Sequence, residues 1–407
     1  MRLGPRARSR RGVLFIAALV LLAGMSVVII ALAHEVALEL RMSEAVIESD
    51  QAQEIAKLGI GQIRYLANND PDWRTTYSSG EWVTDKPACG GTFSASGIDP
   101  DGDLADCPID PVAATSVASY RGVTRRLSAT LNPPVHESMM FLAYASDEIR
   151  LEGDCRVYGD LCSKQVLWES GAVDHRGNIY AEKPGNVSDQ LKDADTDVRS
   201  YETAPSLPGI KYDWFVARGK QISPPIQDGK YLIEDKVISP EDNPHGFASP
   251  DGIYYVGGDK ELRIVRCHIT ATLVVLTKKK VFVEDACVHA PASPEYPALV
   301  MEHELFYDLD QNLSEIDSGV DFNRDGDKSD TFTPSITGVV YAKTSITGLQ
   351  WQGGTNVVRF KGAFVSEKVH LIGDGCIFEQ DPDLSTGLVH QFQGDGLELV
   401  TGSITYE

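Results

Sequence analysis

The stretch VLFIAALVLLAGMSVVIIALA, residues 13–33, contains no charged side chain. As an α-helix it would be about 31 Å long, which matches the hydrocarbon thickness of a lipid bilayer. It is longer than the apolar core that is typical of a cleavable secretory signal. We therefore expect these residues to stay in a membrane as a single transmembrane helix.

A short basic leader, residues 1–12, precedes this helix. It contains no acidic residue and five arginines, Arg2, Arg6, Arg8, Arg10 and Arg11. Positive charge beside a transmembrane helix favours the cytoplasmic side of the membrane. We therefore expect a cytoplasmic N-terminus, with everything after Ala33 on the outer side.

The rest of the chain is acidic. The 407 residues have a net charge of −22, so the part beyond the leader carries −27. Such a surface repels nucleic acids and anionic lipids, and we exclude nucleic-acid binding on that ground. The hydrophobic fraction of 42% is that of a folded protein, and the length allows two or three domains.

Beyond the membrane, the helical pattern continues as a stripe on one face. Steps of four and three residues connect its members: Leu38, Met42, Ala45, Ser49, Ala52, Ala56, Gly59, Ile63 and Leu66. Because no proline occurs between Val13 and Asp70, we predict one continuous helix over residues 13–69, about 80 Å long, ending at Asn68-Asn69-Asp70-Pro71.

The middle of this stripe consists of small side chains, which allow another backbone to approach closely. The stripe can pack against helices of other chains, or its part beyond Ala45 can pack on the protein's own globular head. Inside the bilayer, helix packing would be with other chains. Both alternatives remain open for the part beyond Ala45.

The remaining sequence indicates β-structure. Residues 70–135 contain short alternating runs and turn residues, which predict a small β-rich subdomain. Residues 139–407 contain a weak repeat: IRLEGDC (149–155), VFVEDAC (281–287) and VHLIGDGC (369–376), together with GNIYA (177–181), GIYYV (252–256) and GVVYA (338–342). Stacked coils would bury the apolar face of such a unit, so we predict an α+β protein with a parallel β-solenoid. A β-sandwich is the alternative.

The start of the chain resembles a type IV prepilin: a basic leader ends in Gly12 and a hydrophobic helix begins at Val13. The stretch ESDQAQEIAKLGIGQIRYLA, residues 48–67, is similar to the helix of PilX-type minor pilins and of the type II secretion pseudopilin K. The solenoid pattern resembles bactofilin-type β-helices. Most prepilins carry a glutamate five residues into the mature chain, where this chain has Ala17, and pseudopilin K-type tip subunits also lack it.

The resemblance implies that a prepilin peptidase cuts between Gly12 and Val13 and that the new N-terminus is methylated. It also implies an inner-membrane location, a periplasmic or extracellular head, and contacts with other prepilin-like subunits and inner-membrane assembly proteins. We expect a structural subunit of a type IV pilus or a type II secretion-type assembly. Two alternatives are a membrane-tethered solenoid that binds cell-envelope polysaccharide and a tethered polysaccharide lyase or hydrolase.

One segment has the spacing of a calcium-binding loop. In DFNRDGDKSD, Asp321, Asn323 and Asp325 occupy positions one, three and five, Gly326 allows the turn, and Asp327 and Asp330 supply further oxygens. Position twelve is Phe332 where such loops have a glutamate, so a solvated acidic turn is the alternative. Four aspartates in DPDGDLAD, residues 99–106, form a weaker second candidate: Asp99, Asp101, Asp103 and Asp106.

The seven cysteines predict at most three disulfides in an exported region. The shortest closures join Cys89 with Cys107 and Cys155 with Cys162, and the alternative is that the cysteines are small buried side chains. Catalytic motifs are absent from the sequence, which contains no GxSxG, P-loop or HExxH pattern. We therefore do not expect an enzyme.

Overall fold

The structure is a computed structural model that describes residues 6–70, 72–107, 109–192, 196–201, 205–348, 357–387, 389–394 and 396–406, with the side chains of residues 6–12 left out. Residues 1–5 of the predicted leader lie outside the described residues. The chain divides into two compact units. One comprises Met1–Asn132 and Gly396–Glu407, and the other comprises Pro133–Asp395.

The first unit begins with helix α1, Arg6–Asn69, which is unbroken over 64 residues. Its end agrees with the predicted stop at Asn68-Asn69-Asp70-Pro71. The Asn69 side chain donates to the Tyr65 carbonyl at 2.8 Å and satisfies one of the last carbonyls of the helix. A single turn of helix, α2, follows at Trp73–Thr76.

An antiparallel sheet packs against the second half of α1. Its first four strands are neighbours in chain order: β1 Gly80–Ala88, β2 Gly91–Ile98, β3 Val112–Tyr120 and β4 Val123–Asn132. Arg121 and Gly122 connect β3 to β4 with φ values of 48° and 89°, which suits a tight hairpin. Ile55, Ile60 and Ile63 of the helix share one core with Phe93, Leu127 and other side chains of the sheet.

The second unit is almost entirely β-structure. Its strands are β5 Ala143–Glu152, β6 Arg156–Tyr158, β7 Leu161–Ser170, β8 Asp174–Arg176, β9 Asn178–Ala181, β10 Asp197–Ser200, β11 Lys220–Gln221, β12 Ile226–Gln227, β13 Lys230–Ile238, β14 Ile253–Gly258, β15 Leu262–Thr270, β16 Thr272–Thr277, β17 Val281–Ala290, β18 Leu299–Met301, β19 Glu304–Asp308, β20 Leu313–Ser314, β21 Thr331–Phe332, β22 Ser335–Gly348, β23 Arg359–Ile372 and β24 Ile377–Gln380.

Among the residues that the structure describes, six short helical segments interrupt the strands of the second unit. Two are α-helical, α3 Tyr212–Arg218 and α4 Glu315–Ser318. Four are 3₁₀ turns, at Glu137–Met140, Pro184–Asn186, Asp189–Leu191 and Pro382–Ser385. They lie between strands, as connections of a stacked β-structure do.

The long strands of the second unit pair in parallel, so the unit is a β-solenoid and the sandwich alternative is wrong. Equivalent inward side chains stack from coil to coil, and one buried column runs Leu262, Val281, Leu305, Ile346, Val369, Ile149 and Val166. Three of these, Val281, Val369 and Ile149, begin the three cysteine-ending repeats. The weak repeat therefore marks equivalent positions of the coils.

The coils do not stack in chain order. β23, near the end of the unit, pairs with β5, which is the first strand of the unit, and β5 then pairs with β7. In the other direction, β23 pairs with β22, and β17 pairs with β15. The first and last coils therefore meet within the stack, an arrangement that the repeat did not predict.

The end of the chain returns to the first unit. Strands β25, Glu398–Leu399, and β26, Thr405–Tyr406, both pair with β4. Gly396 has a φ of +83°, and a Cβ there would lie 2.1 Å from Asn68 Oδ1, which accepts the Leu397 N–H at 2.7 Å. The predicted solenoid domain 139–407 is thus too long at its C-terminal end, whereas the predicted end of the subdomain at residue 135 lies three residues beyond Asn132.

Candidate functional site

Among the described residues, no part of the first unit buries the first half of α1. Every residue from Val13 to Ile47 is exposed, and the helix contains a segment apolar and long enough to cross a membrane. It therefore fits a single-pass membrane anchor. Of the predicted processing residues, Val13 is 65% exposed, while the side chains of residues 6–12 lie outside the described part of the structure.

The predicted assembly stripe divides into two parts. Leu38, Met42 and Ala45 are exposed, Ser49 and Leu66 are half-buried, and the four residues between them are buried in the first unit's own core, namely Ala52, Ala56, Gly59 and Ile63. The assignment of these four residues to contacts with other chains is therefore wrong. Their small side chains let the sheet approach the helix: a Cβ at Gly59 would lie 2.1 Å from Ser116 Oγ of β3.

Polar contacts mark the boundary between the two parts of α1. The guanidinium of Arg125 on β4 donates twice to Ser49 Oγ, at 3.0 and 2.8 Å. Further along the helix, Lys86 donates to Gln62 at 2.8 Å. The sheet thus covers the helix from about Ser49 onward, and no contact with another described part of the unit buries residues 13–47.

The predicted calcium residues lie in one loop of the second unit, residues 321–330, which we call the solenoid loop. Strands β20 and β21 pair antiparallel and close it. Asp321 accepts from the backbone N–H groups of Arg324 and Gly326, and Asp325 accepts from that of Asp327. The Asp327 N–H, followed by the Asn323 amide, holds the pKa of Asp325 below its ordinary value.

Three carboxylates approach one another there: Glu315, Asp327 and Asp330 have oxygens within 4.8 Å. Asp321 and Asp325 are not part of this group. Glu315 is fully buried, and its oxygens accept from the N–H groups of Phe322 and Asp330 at 2.6 and 3.1 Å. Glu315 is not predicted by the sequence pattern, because it precedes the loop and lies at no ligand position. These oxygens could hold Ca²⁺ after rearrangement of the N–H contacts.

The predicted disulfides are not formed, since all seven cysteines are free. Cys89 is exposed, and Cys155 and Cys162 are both buried in the second unit. The parallel register instead places Cys267 opposite Cys287, and the Arg156 N–H donates to the Cys376 carbonyl, next to Cys155. Burial raises the pKa of Cys155 and of Cys162 to about 12, so both are protonated thiols at neutral pH.

A polar groove with a volume of about 350 Å³ lies on the solenoid, lined by β5, β19, β22 and β23. Glu148 lies in it and pairs with Arg150 at 3.1 Å and Lys368 at 3.4 Å. Burial alone would raise the pKa of Glu148. The two cations have the larger combined effect, so the pKa is lower than its ordinary value. Phe306 lines the same groove and stacks on Phe282 at 5.1 Å. The groove thus contains two cations that are paired with carboxylates, and an aromatic ring, Phe306, that also has the Lys280 ammonium 5.0 Å from its centroid.

No protein-family model and no curated relative matches the chain. Among solved structures, it is similar to the competence-associated pilin ComZ from Thermus thermophilus, with 10% identity and a TM-score of 0.35 over 88% of this chain and 97% of that one. It is also similar to an ice-binding protein from Antarctomyces psychrotrophicus (8% identity, TM-score 0.30, 60% and 95% of the two chains).

A third similar structure is an ice-binding protein from an Antarctic biological consortium, with 10% identity and a TM-score of 0.26 over 64% of this chain and 96% of that one. At these scores, function has to be inferred from the chain's own residues.

Proposed function

We propose that this protein is a pilin-like structural subunit, a minor pilin or pseudopilin, of a type IV pilus or type II secretion-type assembly. One observation carries the proposal: residues 34–47 of α1 continue the apolar stripe beyond the predicted membrane span, and nothing in the described part of the unit covers them. Leu38 is 47% exposed and Met42 is 69% exposed.

The position of these residues distinguishes an assembling helix from a plain tether. A tether needs apolar side chains only within the lipid, which residues 13–33 already provide. Apolar surface left in water costs about 25 cal/mol per Å², so an apolar stripe outside the lipid favours contact with a partner. Other helices of the same kind, packed side by side, would cover it.

The remaining parts of the proposal follow from the leader and the helix. The N-terminus would lie in the cytoplasm, the helix in the inner membrane, and both units on the outer side. A prepilin peptidase would cleave between Gly12 and Val13, and inner-membrane assembly proteins would receive the processed subunit. The role would be structural rather than catalytic.

Site-specific photo-crosslinking tests the assembly. We place a photoreactive amino acid at Met42, on the stripe, and at Glu44 as the matched control, because two residues turn the helix by about 200°. In cells, Met42 should give adducts with other prepilin-like subunits, and Glu44 should give few. Adducts with lipid alone, or equal protein adducts from both positions, would contradict the proposal.

Mass spectrometry of the purified protein tests processing independently. A methylated N-terminus at Val13 is expected if the peptidase acts, with a Gly12 substitution as the unprocessed control. A mature chain that still begins at Met1 would favour the plain tether. The two experiments separate assembly from processing, since a helix can pack with partners before it is cut.

The solenoid groove supports a second candidate function, binding of a cell-envelope polysaccharide. Arg150, Lys368 and the Phe306 ring are groups that bind acidic sugars by charge and by stacking. Glycans titrated onto the full chain in detergent should bind more weakly to Phe306→Ala and to Lys368→Ala. Release of reducing ends or unsaturated products from the same glycans would instead support a lyase or hydrolase.

A further inference from the structure

Four aspartates meet in the connection between β2 and β3, of which the structure describes residues 99–107 and 109–111 and which we call the hairpin loop. Asp99 directly follows β2, and Asp110 lies two residues before β3. Ile98 pairs with Ala113, so the two ends of the loop are adjacent. Each of Asp99, Asp101, Asp106 and Asp110 offers a carboxylate oxygen within 4.8 Å of those of the other three.

Asp99 distinguishes this cluster from an ordinary acidic turn. It is only 2% exposed, and neither of its carboxylate oxygens has a hydrogen-bond partner among the described residues. Burying an ionised carboxylate without a partner is costly, so such a group is rare unless something neutralises it. The solenoid loop differs here, because backbone N–H groups satisfy its buried Glu315.

The nearest cation does not supply the missing partner. The guanidinium of Arg74 donates to the backbone carbonyls of Leu104 at 3.2 Å and Asp110 at 2.7 Å, and it lies over the Trp73 ring. One arginine faces four carboxylates.

We propose that the hairpin loop binds Ca²⁺ through the carboxylates of Asp99, Asp101, Asp106 and Asp110. Ca²⁺ takes six to eight oxygen ligands in flexible geometry, which suits carboxylates from an irregular loop, with water completing the shell. Zn²⁺ and other softer ions favour nitrogen and sulfur. The one sulfur in this loop, in Cys107, is half-buried and does not belong to the group of four carboxylates.

A bound Ca²⁺ would connect the end of β2 to the start of β3. Arg74 ties the loop to α2 through the same region, so the ion would also fix the turn that follows α1. The expected consequence is a first unit that is more stable in Ca²⁺ than in chelator.

The test uses the full chain in detergent micelles with Ca²⁺ as the probe. Because the solenoid loop is a second acidic loop, all variants carry Asp325→Ala together with Asp330→Ala, which removes one carboxylate of the Glu315, Asp327 and Asp330 group. Equilibrium dialysis at about 1 mM free Ca²⁺, the range of extracellular sites, should find one ion per chain. Adding Asp99→Asn should abolish binding. Adding Asp103→Asn should preserve it, because Asp103 lies in the same loop but outside the cluster of four.

Thermal unfolding gives a second readout that a merely structural Asp99 would not reproduce. In chelator, Asp99→Asn should melt higher than its parent, by about 2–5 °C, since the unpaired buried charge is gone. In Ca²⁺ the order should reverse, because only the parent gains from the ion. If Asp99→Asn fails to fold by circular dichroism, Asp101→Asn, at an exposed position, should show the same loss of binding.

Three results would overturn the proposal. The first is no bound Ca²⁺ at this concentration in the parent that carries Asp325→Ala and Asp330→Ala. The second is binding that survives both Asp99→Asn and Asp101→Asn. The third is preferential binding of Zn²⁺ that Cys107→Ser abolishes, which would identify a thiolate site instead.

Discussion

Residues 34–47 and residues 52–67 of α1 carry the same apolar stripe, yet only the second stretch is covered by the chain itself. The sheet buries Ala52, Ala56 and Ile63 completely, whereas Leu38 and Met42 remain exposed on the same helix. The residue types do not explain the difference, because alanine and large aliphatic side chains occur in both. The helix therefore buries this pattern in its own core where the sheet covers it and leaves it exposed elsewhere.

The largest expected effect compares one large side chain from each stretch. Ile63→Ala should lower the free energy of unfolding by about 3 kcal/mol, because it removes fully buried methyl groups and leaves a cavity. Leu38→Ala should change it by less than about 0.5 kcal/mol in detergent. Denaturant unfolding of both variants, followed by circular dichroism, measures this, and equal effects would remove the distinction between the stretches.

The burial of side chains inside the second unit can be tested through the pH dependence of its stability. His289 is 3% exposed, its Nε2 lies 3.0 Å from the Ala271 carbonyl, and burial lowers its pKa to about 4. The unfolded state then binds more protons between pH 4 and pH 6.5, so stability should fall as the pH falls through this window, by about 2–3 kcal/mol.

His289→Gln removes one titrating group and should make the profile shallower, while His390, whose pKa burial also lowers to about 4, keeps part of the slope. Unfolding curves of both proteins at several pH values between 4 and 7 provide the measurement, with circular dichroism at pH 7 as the fold control. A variant profile as steep as that of the parent would mean that other groups cause the acid sensitivity.

Two glycines sharpen the comparison within the covered stretch. Gly59→Ala should destabilise by about 1–3 kcal/mol, because its Cβ would lie within 2.1 Å of Ser116 on β3. Gly61 is exposed, and its Cβ would meet nothing within 4 Å, so Gly61→Ala should stabilise by about 0.5–1 kcal/mol through helix propensity. Shifts of the same sign would show that helix propensity, rather than sheet contact, dominates here.

The smallest expected effect concerns the solenoid loop, where backbone N–H groups already donate hydrogen bonds to the carboxylates. We predict that a chelator lowers the melting temperature of the Asp99→Asn chain, whose hairpin loop no longer binds the ion, by only a few degrees, about 1 kcal/mol. Asp325→Ala together with Asp330→Ala should abolish this shift. Calorimetry of the Asp99→Asn chain with and without chelator measures it. No shift would leave the solenoid loop as a solvated acidic turn.

The sequence predicted the elements that depend on neighbours in the chain. The end of α1 at Asn69 follows from the polar residues and proline after it, and the recurring short runs indicated parallel coils. The candidate sites were predicted less well. Glu315 lies outside the loop pattern, and the cysteine pairs were chosen by shortest spacing, whereas the solenoid places Cys155 beside Cys376, at the other end of the unit.

By itself, the sequence determined that residues 13–33 can span a bilayer, that α1 continues unbroken to Asn69, and that the body is β-structure. Periodicity and the absence of proline are local properties, so local rules suffice to read them. Only the tertiary structure decided which part of the stripe is covered, where the last coil meets the first, and that residues 396–407 return to the sheet. Those outcomes depend on contacts between residues far apart in the chain, whose free energies arise from burial and are not encoded in any single segment.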